Sequence, residues 1–138
     1  MAMPSAASTC VWRGHQVLLV RRGKAPALDL WSLPGGWIEA GETAIEAAKR
    51  ELGEETAVSA DYLGLVDHVE VALGDEHGSP AARHIIAVFN ARWRSGEGVA
   101  GSDAAALRWC PVDALDTVAM TEGTPAVIRK AWRLVPRP

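Results

Sequence analysis

Three glutamates, Glu51, Glu54 and Glu55, have the residue type and spacing best suited to chemistry in this chain. They stand at i, i+3 and i+4, so on a helix all three project to one side. Like charges at that spacing weaken an isolated helix by roughly a few tenths of a kcal/mol per pair. They also occupy the last turn, where the helix dipole disfavours negative charge. Folding gains nothing from such an arrangement. A hard divalent cation reverses the sign, because magnesium and manganese prefer carboxylate oxygens. Taken alone, the helix also admits a plainer account: a solvated acidic face beside Lys49 and Arg50, with Glu46 and Arg50 as a favourable i, i+4 pair.

The flanking residues favour chemistry. Gly35-Gly36 and Gly41 permit close backbone turns, and Glu42 stands at the helix start. A Gly-rich turn there brings main-chain carbonyls and carboxylates towards one point. The helix itself spans Thr43 to Thr56. Thr43 and Glu46 make a capping box, and Ile45, Ala48 and Leu52, with Ala44 beside them, form the face that packs on a sheet.

The elements around this helix read as follows. Thr9 to Trp12 and Gln16 to Arg21 are strands of a hairpin turning at Arg13-Gly14-His15. Arg22 to Leu30 is a loop, and Trp31 to Leu33 a short strand ended by Pro34-Gly35-Gly36. Tyr62 to Leu73 and Arg83 to Trp93 are longer strands joined by the turn-rich Gly74 to Ala82. Ser95 to Asp103 is a Gly-rich loop, and Leu107 to Cys110 a strand stopped by Pro111. Thr124 reads as an N-cap followed by Pro125 at the first helical position, with the helix running to about Val135. Strands, helix, strands, helix predict an α/β (α+β) fold with a mixed sheet and helices packed on it. One domain fills residues 1–138, and the small, polar start, Met1 to Thr9, reads as a loose terminus.

Composition narrows the partners. The chain has 138 residues, a net charge of −3 and a pI of about 5.8. A duplex-binding surface is basic, so no nucleic-acid polymer is expected. An acidic protein acting on a phosphorylated small molecule needs its charge repulsion offset, and a bound divalent cation does that. No apolar run is long enough for a membrane span and no signal peptide is visible, which predicts a cytoplasmic protein. Cys10 and Cys110 form neither a disulfide framework nor a zinc site and read as small buried residues. The sequence contains no P-loop, EF-hand loop or G-x-S-x-G motif.

The stretch GGWIEAGETAIEAAKRELGEETAV, Gly35 to Val58, resembles the Nudix box at Gly36, Glu42, Arg50, Glu51, Leu52, Glu54, Glu55 and Val58. Ala57 departs, standing where the family usually has Gly; the cost is about 1 kcal/mol at most if φ is positive there. Val17 to Gly36 resembles the family's lead-in strand, loop and turn, and Leu107 to Asp113 its late Trp-bearing strand. The resemblance implies a Nudix-type α/β/α sandwich and a pyrophosphohydrolase dependent on Mg²⁺ or Mn²⁺. It implies Glu54 and Glu55 as leading metal ligands, the main-chain oxygen of Gly36 as a further one, and Glu51 as ligand or general base. Arg50 would orient a box glutamate. Glu42, with Gly35 and Gly41, would fix the loop–helix junction. Arg22 is placed to reach a substrate phosphate, Asp103 to supply an extra carboxylate, and Trp31 or Trp37 to stack on a base. His68, Glu70 and His84 read as strand residues.

The implied substrate is a nucleoside diphosphate linked to another moiety, either ADP-ribose-like or an NTP or dNTP. Neither a proline nor a tyrosine stands around Ala72 to Glu76 to select a subfamily: Pro80 comes late and Tyr62 early. Met120-Thr121 and Thr124 to Ile128 faintly resemble a base-contacting region of triphosphate-cleaving members, with core packing the plainer account. Many relatives are dimers, so a homodimer stays open. The rival reading is a Nudix-like nucleotide sensor that binds without turnover.

Overall fold

The computed structural model describes residues 3–25, 27–73 and 82–137. The chain runs β1 (Ala6–Arg13), β2 (Gln16–Arg22), β3 (Trp31–Ser32), β4 (Gly35–Trp37), α1 (Ala44–Thr56), β5 (Ser59–Leu73), β6 (Ala82–Ser95), β7 (Ala104–Pro111), a 3₁₀ turn at Val112–Thr117 and α2 (Thr124–Leu134). The strands form one sheet in the order β3-β2-β1-β6-β5, with β4 paired to β1 and β7 to β2. β1 and β6 are parallel and the other pairings antiparallel, so the sheet is mixed, as expected.

Period-two alternation decides which helix each side chain meets. Cys10 and Trp12 of β1, Val17 and Leu19 of β2 and Val88 of β6 pack with Ile128 and Ala131 of α2. The residues between them point the other way. Val11 and Leu18 meet Leu52 of α1, while Ala7, Ala87 and Phe89 meet Ala47 and Ala48. The two helices therefore cover opposite faces, as in an α/β/α sandwich. One buried polar link spans the α2 layer: Trp12 Nε1 donates to Asn90 Oδ1 (2.8 Å), and Asn90 Nδ2 donates to the Ala131 carbonyl (2.9 Å). Cys10 and Cys110 are free and buried. Among the described residues no helix is long and apolar enough to cross a membrane.

Several expectations are corrected. Met1 to Thr9 reads as a loose terminus, yet β1 begins at Ala6, and Ala6, Ala7 and Thr9 are buried. Ala6 to Ser8 lie between β4 and β6. Their small side chains suit this close packing, and the same smallness hid the strand. Gly35-Gly36 does not merely end a strand; it is most of β4. A Cβ on Gly35 would strike the Ala7 carbonyl oxygen and come within 2.6 Å of Ser8 Cβ, so close approach, not a turn, demands glycine. β7 extends well before Leu107 by pairing with β2 as far as Arg22. The N-cap of α2 is Gly123, at φ 81°, rather than Thr124, whose hydroxyl bonds that of Thr121 (2.6 Å). The connection at 74–81, with Pro80, lies outside the described residues.

Candidate active site

Helix α1 is anchored at its start by local bonds. Glu46 N donates to Thr43 Oγ1 (3.2 Å), and Thr43 N donates to Glu46 Oε1 (2.8 Å). The capping box is thus present. It engages the Glu46 carboxylate, so the expected Glu46–Arg50 pair is replaced. The bond from the Thr43 backbone also holds the Glu46 carboxyl below its usual pKa.

The buried face of α1 carries Ala47, Ala48 and Leu52, with Ile45 only half-buried. Ala47, Glu51 and Glu55 follow at four-residue steps, so these two acids continue the inward row. The three glutamates therefore do not share one environment. Glu55 is 9% exposed, whereas the Glu54 side chain is half-exposed. Glu55 Oε1 accepts from Gly35 N at 2.7 Å. Burial pushes its carboxyl up to about 7, partly opposed by that bond; Glu51 and Asp103 add to the rise, and Arg22 offsets some of it. Burial also raises Glu51. The Glu51 carboxylate carbon lies 2.5 Å from where a Cβ on Gly36 would stand, so only glycine lets it approach this strand.

Arg50 organises the outer half. Its Nε and Nη2 donate to the two Glu42 oxygens at 2.8 and 3.0 Å, a bidentate pair. Its Nη1 donates to Glu51 Oε1 (2.7 Å) and Glu54 Oε2 (3.3 Å), and Nη2 also to the Trp37 carbonyl (3.0 Å). Glu42 Oε1 accepts from Glu39 N as well (2.9 Å). The Arg50 bonds, chiefly, hold the Glu42 carboxyl below its usual pKa. Gly41, at φ 85°, provides the turn before Glu42. Among the described residues no three acid, imidazole or thiol groups are gathered as a preformed metal cage; the Arg50 guanidinium lies between Glu51 and Glu54 instead.

Arg22 and Asp103 join the site from the other side. They line a cleft with Gly35, Glu55, Arg21 and Lys24. Gly23 N donates to the Asp103 carbonyl (2.9 Å), and Lys24 Nζ pairs with the Asp103 carboxylate (3.2 Å), tying the β2 exit to the loop before β7. Trp31 is not in this cleft lining; it packs on the α2-side core with Arg108 over its ring at 5.5 Å. Trp37 is exposed and meets His84 edge-on at 4.8 Å. Glu70 pairs with Arg83 and His84 with Ser5, as ordinary strand neighbours. Lys24 and Glu39 act through loop geometry and the Trp37 carbonyl through the placement of β4, none of which the sequence pattern shows. Arg21 lines the cleft beside Arg22, at a break in the β2–β7 register that local alternation does not reveal.

The sequence matches the family defined as "NUDIX domain" over residues 2–131. The chain belongs to that family. Its Nudix relatives include an ADP-ribose pyrophosphatase of Methanocaldococcus jannaschii, 36% identical over 67% of this chain and 52% of that protein. A putative 8-oxo-dGTP diphosphatase of Bacillus subtilis is 53% identical over 33% of this chain and 29% of that protein. The match thus spans about half or less of the length of these relatives. Among solved structures, a MutT NUDIX hydrolase from Burkholderia pseudomallei superposes with a TM-score of 0.78 at 25% identity, covering 94% of this chain and 98% of that one. The NUDIX domain of Shewanella oneidensis NrtR, solved with ADP ribose, gives 0.80 at 24% identity, covering 98% and 90%, and shares the fold. Nudix domains typically use divalent metals. The family's usual glycine after the box helix is here Ala57, at φ 56° and ψ 20°, whose N–H donates to the Gly53 carbonyl.

Proposed function

We propose that this Nudix domain is a metal-dependent pyrophosphohydrolase that splits the diphosphate bond of a nucleoside diphosphate linked to another moiety. The linked moiety is ADP-ribose-like or completes an NTP or dNTP. The observation that carries this reading is Glu55: a buried carboxyl beside Glu51, pushed up to about 7, at the negative end of a helix with no basic residue in its last turn. Such a group is costly to ionise unless a cation arrives. The donors nearby are hard oxygens, so the residues fit Mg²⁺ or Mn²⁺. Glu51, Glu54, Glu55 and the Gly36 carbonyl would hold it. When bound, the ion neutralises phosphate charge and lowers the pKa of a coordinated water.

The remaining steps fall to the chain's own groups. Water adds at one phosphorus, the bond from that phosphorus to the bridging oxygen breaks, and two phosphate products leave. A box carboxylate takes the water's proton, and Glu51, held by Arg50, is positioned for it or for ligation. Glu42 fixes the orientation of Arg50. Arg22 meets phosphate oxygens from the β2 side, and Asp103 supplies an acid to the same cleft. The deciding experiment is a product assay with ADP-ribose, NADH, nucleotide sugars, dinucleoside polyphosphates and canonical or oxidised dNTPs, each with and without Mg²⁺. Metal-dependent release of phosphate, pyrophosphate or a nucleoside monophosphate is expected from at least one substrate. Tight binding without turnover across the panel would replace the enzyme with a nucleotide sensor.

A further inference from the structure

The last turn of α1 carries box acids, yet its main-chain carbonyls are served from far along the chain. A helix leaves its last four carbonyls without partners of its own. Residues 96–103, which link β6 to β7, supply donors to two of them. Val99 N donates to the Thr56 carbonyl (2.8 Å) and Gly101 N to the Glu55 carbonyl (3.0 Å). At Gly101 the segments touch: a Cβ there would stand 2.6 Å from the Glu54 carbonyl oxygen. Amide donors at this point also offset the negative helix end, which has no basic side chain in that turn.

The same segment ends at Asp103. Ala104 N donates to the Gly101 carbonyl (3.1 Å), and Ser102 takes φ 55°, so a tight turn presents Asp103 immediately after the helix contact. From the β2 side, Gly23 N donates to the Asp103 carbonyl (2.9 Å) and Lys24 Nζ pairs with its carboxylate (3.2 Å). Asp103 and Glu55 line one cleft, and the Asp103 charge is felt at Glu51 and Glu55 alike. The start of the segment is fixed independently. Trp93 Nε1 donates to the Gly96 carbonyl (2.8 Å), and Arg13, 3.9 Å over the Trp93 ring, pairs with Glu97 (3.1 Å). None of these bonds engages a box carboxylate; they act on the backbone and on Asp103.

We infer that residues 96–103 set the separation between Asp103 and the box glutamates, with Gly101 and Lys24 as positioning residues at the two ends of the grip. Gly101 fixes the segment to the helix end that bears Glu54 and Glu55. Lys24 fixes the acid that the segment delivers. The inference rests on the pyrophosphohydrolase reading for its effect on turnover, whereas metal uptake reports on it without turnover.

The test is calorimetric titration of the metal-stripped whole chain with Mn²⁺, beside turnover of the best substrate from the product assay. Gly101 has no positive φ, so alanine there acts through the contact alone. Gly101→Ala pushes on the Glu54 carbonyl and should weaken Mn²⁺ binding and lower kcat by about tenfold each, as loss of a support behind metal ligands does, with KM little changed. Gly53→Ala, in the same helix with open space where its Cβ would stand, is the control and leaves both quantities unmoved. A Gly101→Ala protein with a lower thermal midpoint but the parent's Mn²⁺ affinity and kcat makes the segment a plain helix cap and overturns the proposal. Lys24→Met reads the other end without threatening the fold, because a half-exposed ion pair contributes little to stability. It should lower kcat by about threefold or more through misplacement of Asp103; Lys24→Arg should restore it, and Lys24→Met should add nothing to Asp103→Asn. Additive losses in that double variant, or a rise in KM alone, overturn the proposal. A parent that binds Mn²⁺ but hydrolyses nothing, with binding weakened in Gly101→Ala, sinks the enzymatic reading and leaves the positioning role standing.

Discussion

The two ends of α1 carry the same kind of side chain under opposite conditions. At the first turn, Glu46 lies where the dipole is positive and closes a bond pair with Thr43, three residues away. At the last turn, Glu54 and Glu55 lie where the dipole is negative, with no basic residue in that turn. Glu55 is buried besides. The first end stabilises the helix by itself. The second is held by residues far away in sequence, Gly35 among them, and opposes ionisation. An acid that costs the fold something is a better functional candidate than one that supports it.

The sharpest break of this contrast is at the costly end. Glu54→Gln and Glu55→Gln are each expected to lower kcat by roughly a hundredfold or more, as loss of a charge-stabilising group does, with circular dichroism unchanged. Variants as active as the parent would refute the site. Glu55→Gln should at the same time make the metal-free protein more stable at pH 8, by up to about 3 kcal/mol, because burial lifts this carboxyl from an ordinary 4.5 to about 7. Urea unfolding in EDTA measures it.

The pH dependence sharpens the same point. The folded pKa of Glu55 is raised, so the folded state holds that proton more tightly than the unfolded chain. Its contribution is fully present below about 4.5 and is lost as pH rises through about 7. Thermal midpoints in EDTA should therefore fall between pH 5 and pH 8 by more in the parent than in Glu55→Gln. Added Mg²⁺ at pH 8 should restore the parent selectively; an equal response of both proteins would remove Glu55 from the ion's ligands.

At the supportive end the effects are smaller and purely structural. Thr43→Ala should cost about 1 kcal/mol by loss of the cap, with kcat unmoved. Ala57→Gly, at the positive φ closing the helix, should stabilise by up to about 1 kcal/mol and leave turnover alone. A change in kcat for Ala57→Gly would tie the helix exit to the chemistry after all.

The legibility of the sequence follows the same division. The capping box, the apolar stripe of α1, the strand alternation and the charged box positions are local patterns, and each was readable. So was the positive φ at Ala57 as a condition. The environment of each glutamate was not readable, because it depends on Gly35 and Gly36 approaching from β4. The bonds of Arg50 to Glu42, Glu51 and Glu54 agree with the expectation that it orients a box glutamate, whereas its further bond to the Trp37 carbonyl depends on the approach of β4. Ala6 to Ser8 were missed because small residues carry little strand signal, although two neighbouring strands enclose them. Arg22 and Asp103 stand far apart in sequence, and the Gly23–Asp103 bond, the Lys24–Asp103 pair and the Arg22–Ala104 pairing bring their segments together.

The parallel pairing of β1 with β6 has a consequence for the order of assembly. Ala6 to Trp12 pair with Ile86 to Arg92, stretches separated by eighty positions of chain. During synthesis the earliest strand emerges long before its principal neighbour exists. Until then the hairpin with β2, the short pairing with β4 and the packing of α1 on one face are what occupy it. Closing so long a loop is slow, so α1 is made before the sheet beneath it can be completed, and the nascent chain spends that interval with Trp12, whose partners in α2 come last, uncovered.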